Sequence, residues 1–149
     1  MSALVPRAAF FRRILEALTA RPGYVWGGRS LQGMDCSGLV TWALYEASGH
    51  AIDWRQTHNT DALWKLPRVA PGSELAGDVA LYFGANSTGP EDVSHTMVLV
   101  GFGLVSGMAW GGPGDVDGAT SRAAGKVIQV RDIHYRDDLA GIVRLPLTT

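Results

Sequence analysis

One cysteine and four histidines are the residues of this 149-residue chain best suited to covalent chemistry. Cys36 stands where a glycine-punctuated stretch, Tyr24-Val25-Trp26-Gly27-Gly28 to Met34-Asp35, turns into a helical pattern. From Cys36 onward, apolar or small residues recur at Leu39, Val40, Ala43, Leu44 and Ala47, the spacing of one helix face. Asp35 is a good N-cap type and Gly49 a good residue just past a helix end, so both boundaries carry stop signals. The sulfur then lies in the first helical turn, on the face turned towards the rest of the protein. Unpaired backbone N–H groups and the positive end of the helix dipole favour a thiolate there, so a lowered thiol pKa is expected. A lone cysteine is also a common apolar filler, and its neighbours have to decide between the two.

A thiolate nucleophile needs a base to set its protonation and later to protonate the leaving amine. His95 opens the strand pattern His95-Thr96-Met97-Val98-Leu99-Val100-Gly101, where a side chain can reach off the sheet edge towards a packed helix terminus. It shares a strand face with Met97 and Leu99, so its imidazole lies on an otherwise apolar side. His58 has no second ligand at metal spacing and reads as a surface or hydrogen-bonded histidine. Gly101-Phe102-Gly103 lacks the third glycine of a dinucleotide loop, and Asp115-Val116-Asp117-Gly118 is too short for a calcium loop. Neither metal nor cofactor is expected.

The run Tyr24-x-Trp26-Gly27-Gly28 followed by Asp35-Cys36-Ser37-Gly38 resembles the NlpC-type family of papain-like cell-wall cysteine peptidases, with no substitution at those signature positions. The resemblance implies that Cys36 is the nucleophile and that His95, in a strand similar to the family's H-V-G type, is its base. It further implies that Tyr24, Asp35 and Ser37 help bind a peptidoglycan stem peptide. Each of these has a structural role beside that one: Asp35 caps the helix, Ser37 supports the same turn and Tyr24 packs. Arg55-Gln56-Thr57 loosely resembles the family's R-x-T segment beside the groove. The family's third catalytic residue, a polar group on the next strand, has no clear equivalent. Leu104-Val105-Ser106-Gly107-Met108 offers only Ser106 as a polar side chain, and a backbone carbonyl near Gly107 or Asp115 from the following loop are alternatives.

The implied reaction is endopeptidase cleavage near the D-γ-glutamyl to meso-diaminopimelate bond through a thioester, with the Cys36 backbone N–H as a candidate oxyanion donor. The short form resembles tail-associated wall peptidases of phages and gene transfer agents, which implies tail or baseplate proteins as partners. Two rivals stand beside it: a CHAP-type N-acetylmuramoyl-L-alanine amidase, and a structural tail protein with a decayed site.

The remainder of the chain must position these groups. Its length suits one domain, here the whole of 1–149 with an N-terminal helical segment within 1–22. Apolar residues at 46% and charged residues at 18% are a globular composition. A net charge of −1 supplies no field for nucleic acid or an anionic membrane, and no run is long and apolar enough for a membrane helix. With a single cysteine the fold needs no disulfide. Arg7, Arg12 and Arg13 interrupt Phe10, Phe11, Ile14 and Leu15, so no signal-peptide core is expected; the protein would be made in the cytoplasm and act at the cell wall or periplasm as part of a particle.

Phe11, Ile14, Leu15 and Leu18 predict an amphipathic helix with Pro6 near its start. His50 to Pro71 shows no sustained period. Asp78–Phe83, His95–Gly101, Leu104–Ser106, Val127–Val130 and Gly141–Leu145 read as strands, and Trp110–Gly125 as a long loop. Helices first and then an antiparallel meander make an α+β architecture with helices packed on a sheet. The family resemblance implies the same fold, papain-like.

Overall fold

The computed structural model describes residues 4–149; the first three residues of the expected N-terminal segment lie outside the described part. Helix α1 spans Arg7–Ala20 behind Pro6, whose fixed φ suits a helix entry. It buries Phe10, Ile14 and Ala17, while Leu15 is 58% exposed. The sequence pattern points to a stripe through Phe11 and Leu15. The buried line runs one residue earlier, because offsets of four and seven from Phe10 keep a single row against helix α2.

Helix α2, Cys36–Ala47, is the centre of the molecule. Every residue from Ser37 to Leu44 is buried, so the expected one-sided stripe understates how enclosed it is. Asp35 caps its N-terminus, accepting the Gly38 N–H at 2.7 Å. Its far end closes past Ser48 at Gly49, in the left-handed region at φ +63°. Leu39 and Leu44 are fully buried, each contributing about 1.5–3 kcal/mol by leaving water.

Strands β1 (Arg29–Ser30) and β2 (Gly33–Met34) form a small hairpin in the lead-in to α2. The main sheet is antiparallel and contains β3 (Val79–Tyr82), β4 (His95–Gly101), β5 (Leu104–Met108), β6 (Ile128–Asp132) and β7 (Leu139–Val143). Its order is β6-β5-β4-β3-β7: a four-strand meander, after which β7 returns to pair with β3. Residues alternate between its two faces. Val79, Leu81, Val98 and Val143 join Leu39, Val40 and Leu44 in the main core under the helices. Ala80, Tyr82, Met97, Leu99, Val105 and Ile142 form a second cluster on the other face, covered by Val69, Ile133, Tyr135 and Leu139. The α+β, papain-like architecture read from the sequence is the one observed.

Two short helices stand in stretches with no helical period. α3, Thr60–Trp64, is capped by the Asn59 side chain. α4, Gly118–Ala123, is capped by Asp117 and interrupts the expected long loop. One or two turns are too short to show a hydrophobic period, so only their caps are visible in the sequence. Asp78 precedes β3 instead of opening it. It is fully buried and accepts Arg144 Nε and Nη2 at 3.0 and 2.8 Å, with Arg7 at 3.8 Å, which joins the chain's two ends to the sheet.

Candidate active site

The glycine-rich lead-in and the cysteine helix form one local unit. Gly27, at φ +76°, donates its N–H to one Asp35 carboxylate oxygen at 2.9 Å; the other oxygen accepts from Gly38. The Gly28 carbonyl accepts the Asp35 N–H at 3.1 Å and lies so close to Gly38 that a Cβ there would sit 2.0 Å from the oxygen. Asp35 therefore ties loop to helix from both sides, and Gly38 is required by backbone contact. The Ser37 hydroxyl donates to Asp35 at 3.3 Å. Tyr24 is buried against Gly111, whose Cβ would strike its ring.

Cys36 and His95 line one cleft of about 300 Å³ together with Tyr24, Trp26, Ser94, Trp110 and Arg136. Trp26 and Trp110 leave about half of their surface open to solvent, 56% and 49%. A larger hollow of about 560 Å³ lies on the side of the sheet away from the helices, near Leu99 and Phe102, and its lining has no cysteine, serine or threonine to act as a nucleophile.

Burial pushes the Cys36 thiol up to about 11, and the Asp35 carboxylate adds to the rise. Hydrogen bonds from the backbone of Thr96, Ser37 and Cys36 pull the other way and do not offset it. The expected lowering by the helix terminus is thus outweighed by desolvation and a neighbouring negative charge. The Thr96 contact also places the sulfur at the start of β4, beside His95. Burial pulls His95 down to about 4, helped by Arg136 and opposed by Asp138. Both shifts favour the neutral thiol and the neutral imidazole at pH 7.

His95 opens β4 as expected and sits over Tyr82, ring centroids 5.4 Å apart. Its Nε2 lies 2.7 Å from the Tyr135 hydroxyl. Tyr135 stands in the turn between β6 and β7, with its N–H on the Asp132 carbonyl. Nothing in the local sequence singles it out; it is forty residues from His95 and arrives only when β7 folds back on β3.

Ser106 does not reach His95. It pairs with Val98 on β4 and Val130 on β6, which puts its side chain on the helix-facing side of the sheet, opposite to that of His95. Its hydroxyl is buried with no hydrogen-bond partner among the described residues. Gly107 continues that register opposite Met97, whose Sδ would lie 2.7 Å from a Cβ at that position. Met97 therefore occupies the space an orienting side chain on β5 would need. Asp115 is engaged elsewhere, by Lys126 at 2.7 Å and the Gly112 N–H at 2.8 Å. Arg55 pairs with Asp53 and lies over the Tyr45 ring, and neither it nor Thr57 lines the cleft. Among the described residues, no group of three or more His, Cys, Asp or Glu side chains is arranged to hold a metal ion.

The family pattern described as NlpC/P60 matches residues 21–116, which span the lead-in, the cysteine helix and His95. The chain belongs to the NlpC/P60 family. It is 36% identical over 95 residues to a Mycobacterium tuberculosis protein named "Probable endopeptidase Rv2190c", the match covering 62% of this chain and 22% of that protein. The chain thus spans less than a quarter of the curated relatives it matches. Its fold is similar to the NlpC/p60 domain of the peptidoglycan hydrolase SagA, with a TM-score of 0.64 and 20% identity over 95% of this chain and all of that one. It is also similar to RipD of Mycobacterium tuberculosis, described as a non-catalytic NlpC/p60 domain protein adapted to peptidoglycan binding. There the TM-score is 0.62 at 21% identity, over 93% of this chain and 96% of RipD.

Proposed function

We propose that this NlpC/P60 chain is a cysteine endopeptidase of peptidoglycan stem peptides, with Cys36 as nucleophile and His95 as general base. The observation that carries this reading is the meeting of Cys36 and His95 in one cleft, with the His95 Nε2 engaged by Tyr135. That contact leaves Nδ1 as the ring nitrogen available to the sulfur.

For Nδ1 to act as a base, Nε2 must carry the hydrogen and donate it to the Tyr135 oxygen, a contact that accommodates the working tautomer and holds the orientation of the ring. Nδ1 then takes the thiol proton as Sγ bonds to the amide carbon. The Cys36 backbone N–H, at the helix start, faces the developing oxyanion. Collapse breaks the C–N bond, and the imidazolium gives its proton to the leaving amine. Water adds to the thioester as Nδ1 accepts its proton, and Sγ leaves and is reprotonated. With both groups neutral at rest, the ion pair forms during the reaction instead of preceding it.

Tyr24, Asp35 and Ser37 would hold the stem peptide at the mouth of the cysteine helix, and the bond cut would be D-γ-glutamyl to meso-diaminopimelate. The enzyme would reach the wall on a phage-like tail or baseplate, after synthesis in the cytoplasm. The sequence resemblance supports these finer points. The second reading, a peptidoglycan-binding domain without turnover, is favoured by the likeness to RipD.

The test is digestion of diaminopimelate-type peptidoglycan by the wild type and by Cys36→Ala, with products identified by mass spectrometry. Truncated stem peptides from the wild type alone are expected. Intact released stem peptides would indicate an amidase, and retention on the wall with no products from either protein would select the binding reading.

A further inference from the structure

Among the described residues that line the cleft, Arg136 alone carries a full charge at neutral pH, since burial keeps His95 and Cys36 neutral. Its guanidinium is fixed from behind. Nε and Nη2 donate to the two Asp138 oxygens at 2.9 and 2.6 Å, and Asp138 is itself held by the Gly84 N–H at 2.9 Å. A guanidinium has five N–H donors. The Asp138 fork takes two of them and the Tyr135 hydroxyl engages the group as well, yet donors still remain on a side chain that is 29% exposed and borders the same cleft as the nucleophile. The group is close enough to His95 to disfavour its protonation. A positive charge braced in one orientation beside a reacting amide is arranged to read a planar anion.

We propose that Arg136 is a specificity-determining residue that binds a free carboxylate flanking the scissile amide of the substrate. This rests on the endopeptidase reading and names the chemical class it selects. A γ-linked glutamyl residue leaves its α-carboxylate free on the acyl side of the bond, and in a tripeptide the diaminopimelate carbon that bears the scissile nitrogen has a free carboxylate on the amine side. The first becomes a neutral amide in amidated walls, and the second is a neutral peptide bond wherever the stem continues. Arg136 thus makes the enzyme selective for stem peptides whose flanking carboxylate is free. Position 136 lies beyond the matched family region, in the β6–β7 turn, next to Tyr135.

The test compares three synthetic tripeptides, L-Ala-γ-D-Glu-meso-diaminopimelate and its two forms amidated at either flanking carboxylate, with wild type and Arg136→Gln. Cleavage is followed by kcat/KM, and binding by calorimetry on Cys36→Ala with and without Arg136→Gln. The wild type is expected to favour the free acid over one amidated form by about tenfold to a hundredfold, the usual worth of a hydrogen bond between charged groups. Arg136→Gln collapses that ratio to near one, and Arg136→Lys restores part of it. The amidated form that is discriminated against identifies which carboxylate is read. Cleavage of all three peptides at similar kcat/KM by the wild type would overturn the inference and leave the endopeptidase reading intact. No cleavage by the wild type, with Cys36→Ala binding all three equally, would overturn both.

Discussion

The two halves of the cleft are built by opposite means. The cysteine side is local: Gly27, Gly28, Asp35, Cys36 and Gly38 lie within twelve residues and fix one another through backbone contacts and a single carboxylate. The histidine side is assembled across the fold. His95 comes from β4, Tyr135 and Arg136 from the β6–β7 turn, and Asp138 reaches back to Gly84. A local unit writes itself into a short motif, because each residue's neighbour in space is also its neighbour in sequence. A distributed one leaves no such trace. The cysteine half should therefore tolerate changes elsewhere in the sheet, while the histidine half should depend on the return of β7.

The largest effects are expected from deleting the reactive group on each side of the cleft. Cys36→Ser should reduce turnover by roughly 10⁴-fold or more, as nucleophile deletions do, while stability changes by about 1–2 kcal/mol at most. His95→Ala should cost about 10²–10⁴-fold, the usual contribution of a general base. Equal loss of fold and activity in thermal melts and peptide assays would contradict the assignments.

Tyr135→Phe tests the distributed half. Without its hydroxyl the imidazole loses the contact that holds its orientation, and kcat should fall about tenfold to a hundredfold with KM little changed. The acid limb of the pH–rate profile should move as well, which a merely structural tyrosine would not cause. An unmoved profile would leave His95 without its orienting partner. The third position shows the same division. Ser106 is the polar residue on the expected strand, but strand alternation sends it to the helix side while Met97 fills the space next to Gly107. Alternation is legible in the sequence; the approach of a turn from forty residues away is not.

The buried imidazole also sets a pH dependence. His95 has a folded pKa of about 4 against an ordinary 6.5, so below pH 6.5 the unfolded chain binds a proton that the folded one refuses. Its contribution is complete above pH 6.5 and is lost as pH falls towards 4, about 3 kcal/mol in all. Urea melts across that window should show the loss, and His95→Asn should flatten it. For Cys36, raised to about 11 from 9.0, the sign reverses, and stability should decline as pH rises between those values.

The smallest effect is expected at Ser106→Ala. The substitution removes a buried hydroxyl that has no hydrogen-bond partner among the described residues, so stability should hold or rise by about 1 kcal/mol, and turnover should not change. A large drop in kcat would return Ser106 to the site.

The cysteine helix, its caps, the strand that carries His95 and the α+β order of elements are all legible in the chain's local patterns. Caps, turns and periodicities are short-range properties, set by residues within one or two turns of each other. The environment of the pair and the Tyr135 contact to His95 arise only in the folded chain. Burial outweighed the helix terminus at Cys36, and the antiparallel return of β7 brought Tyr135 and Arg136 to His95. Desolvation and long-range pairing depend on what the rest of the chain places around a residue, and a local pattern does not record them.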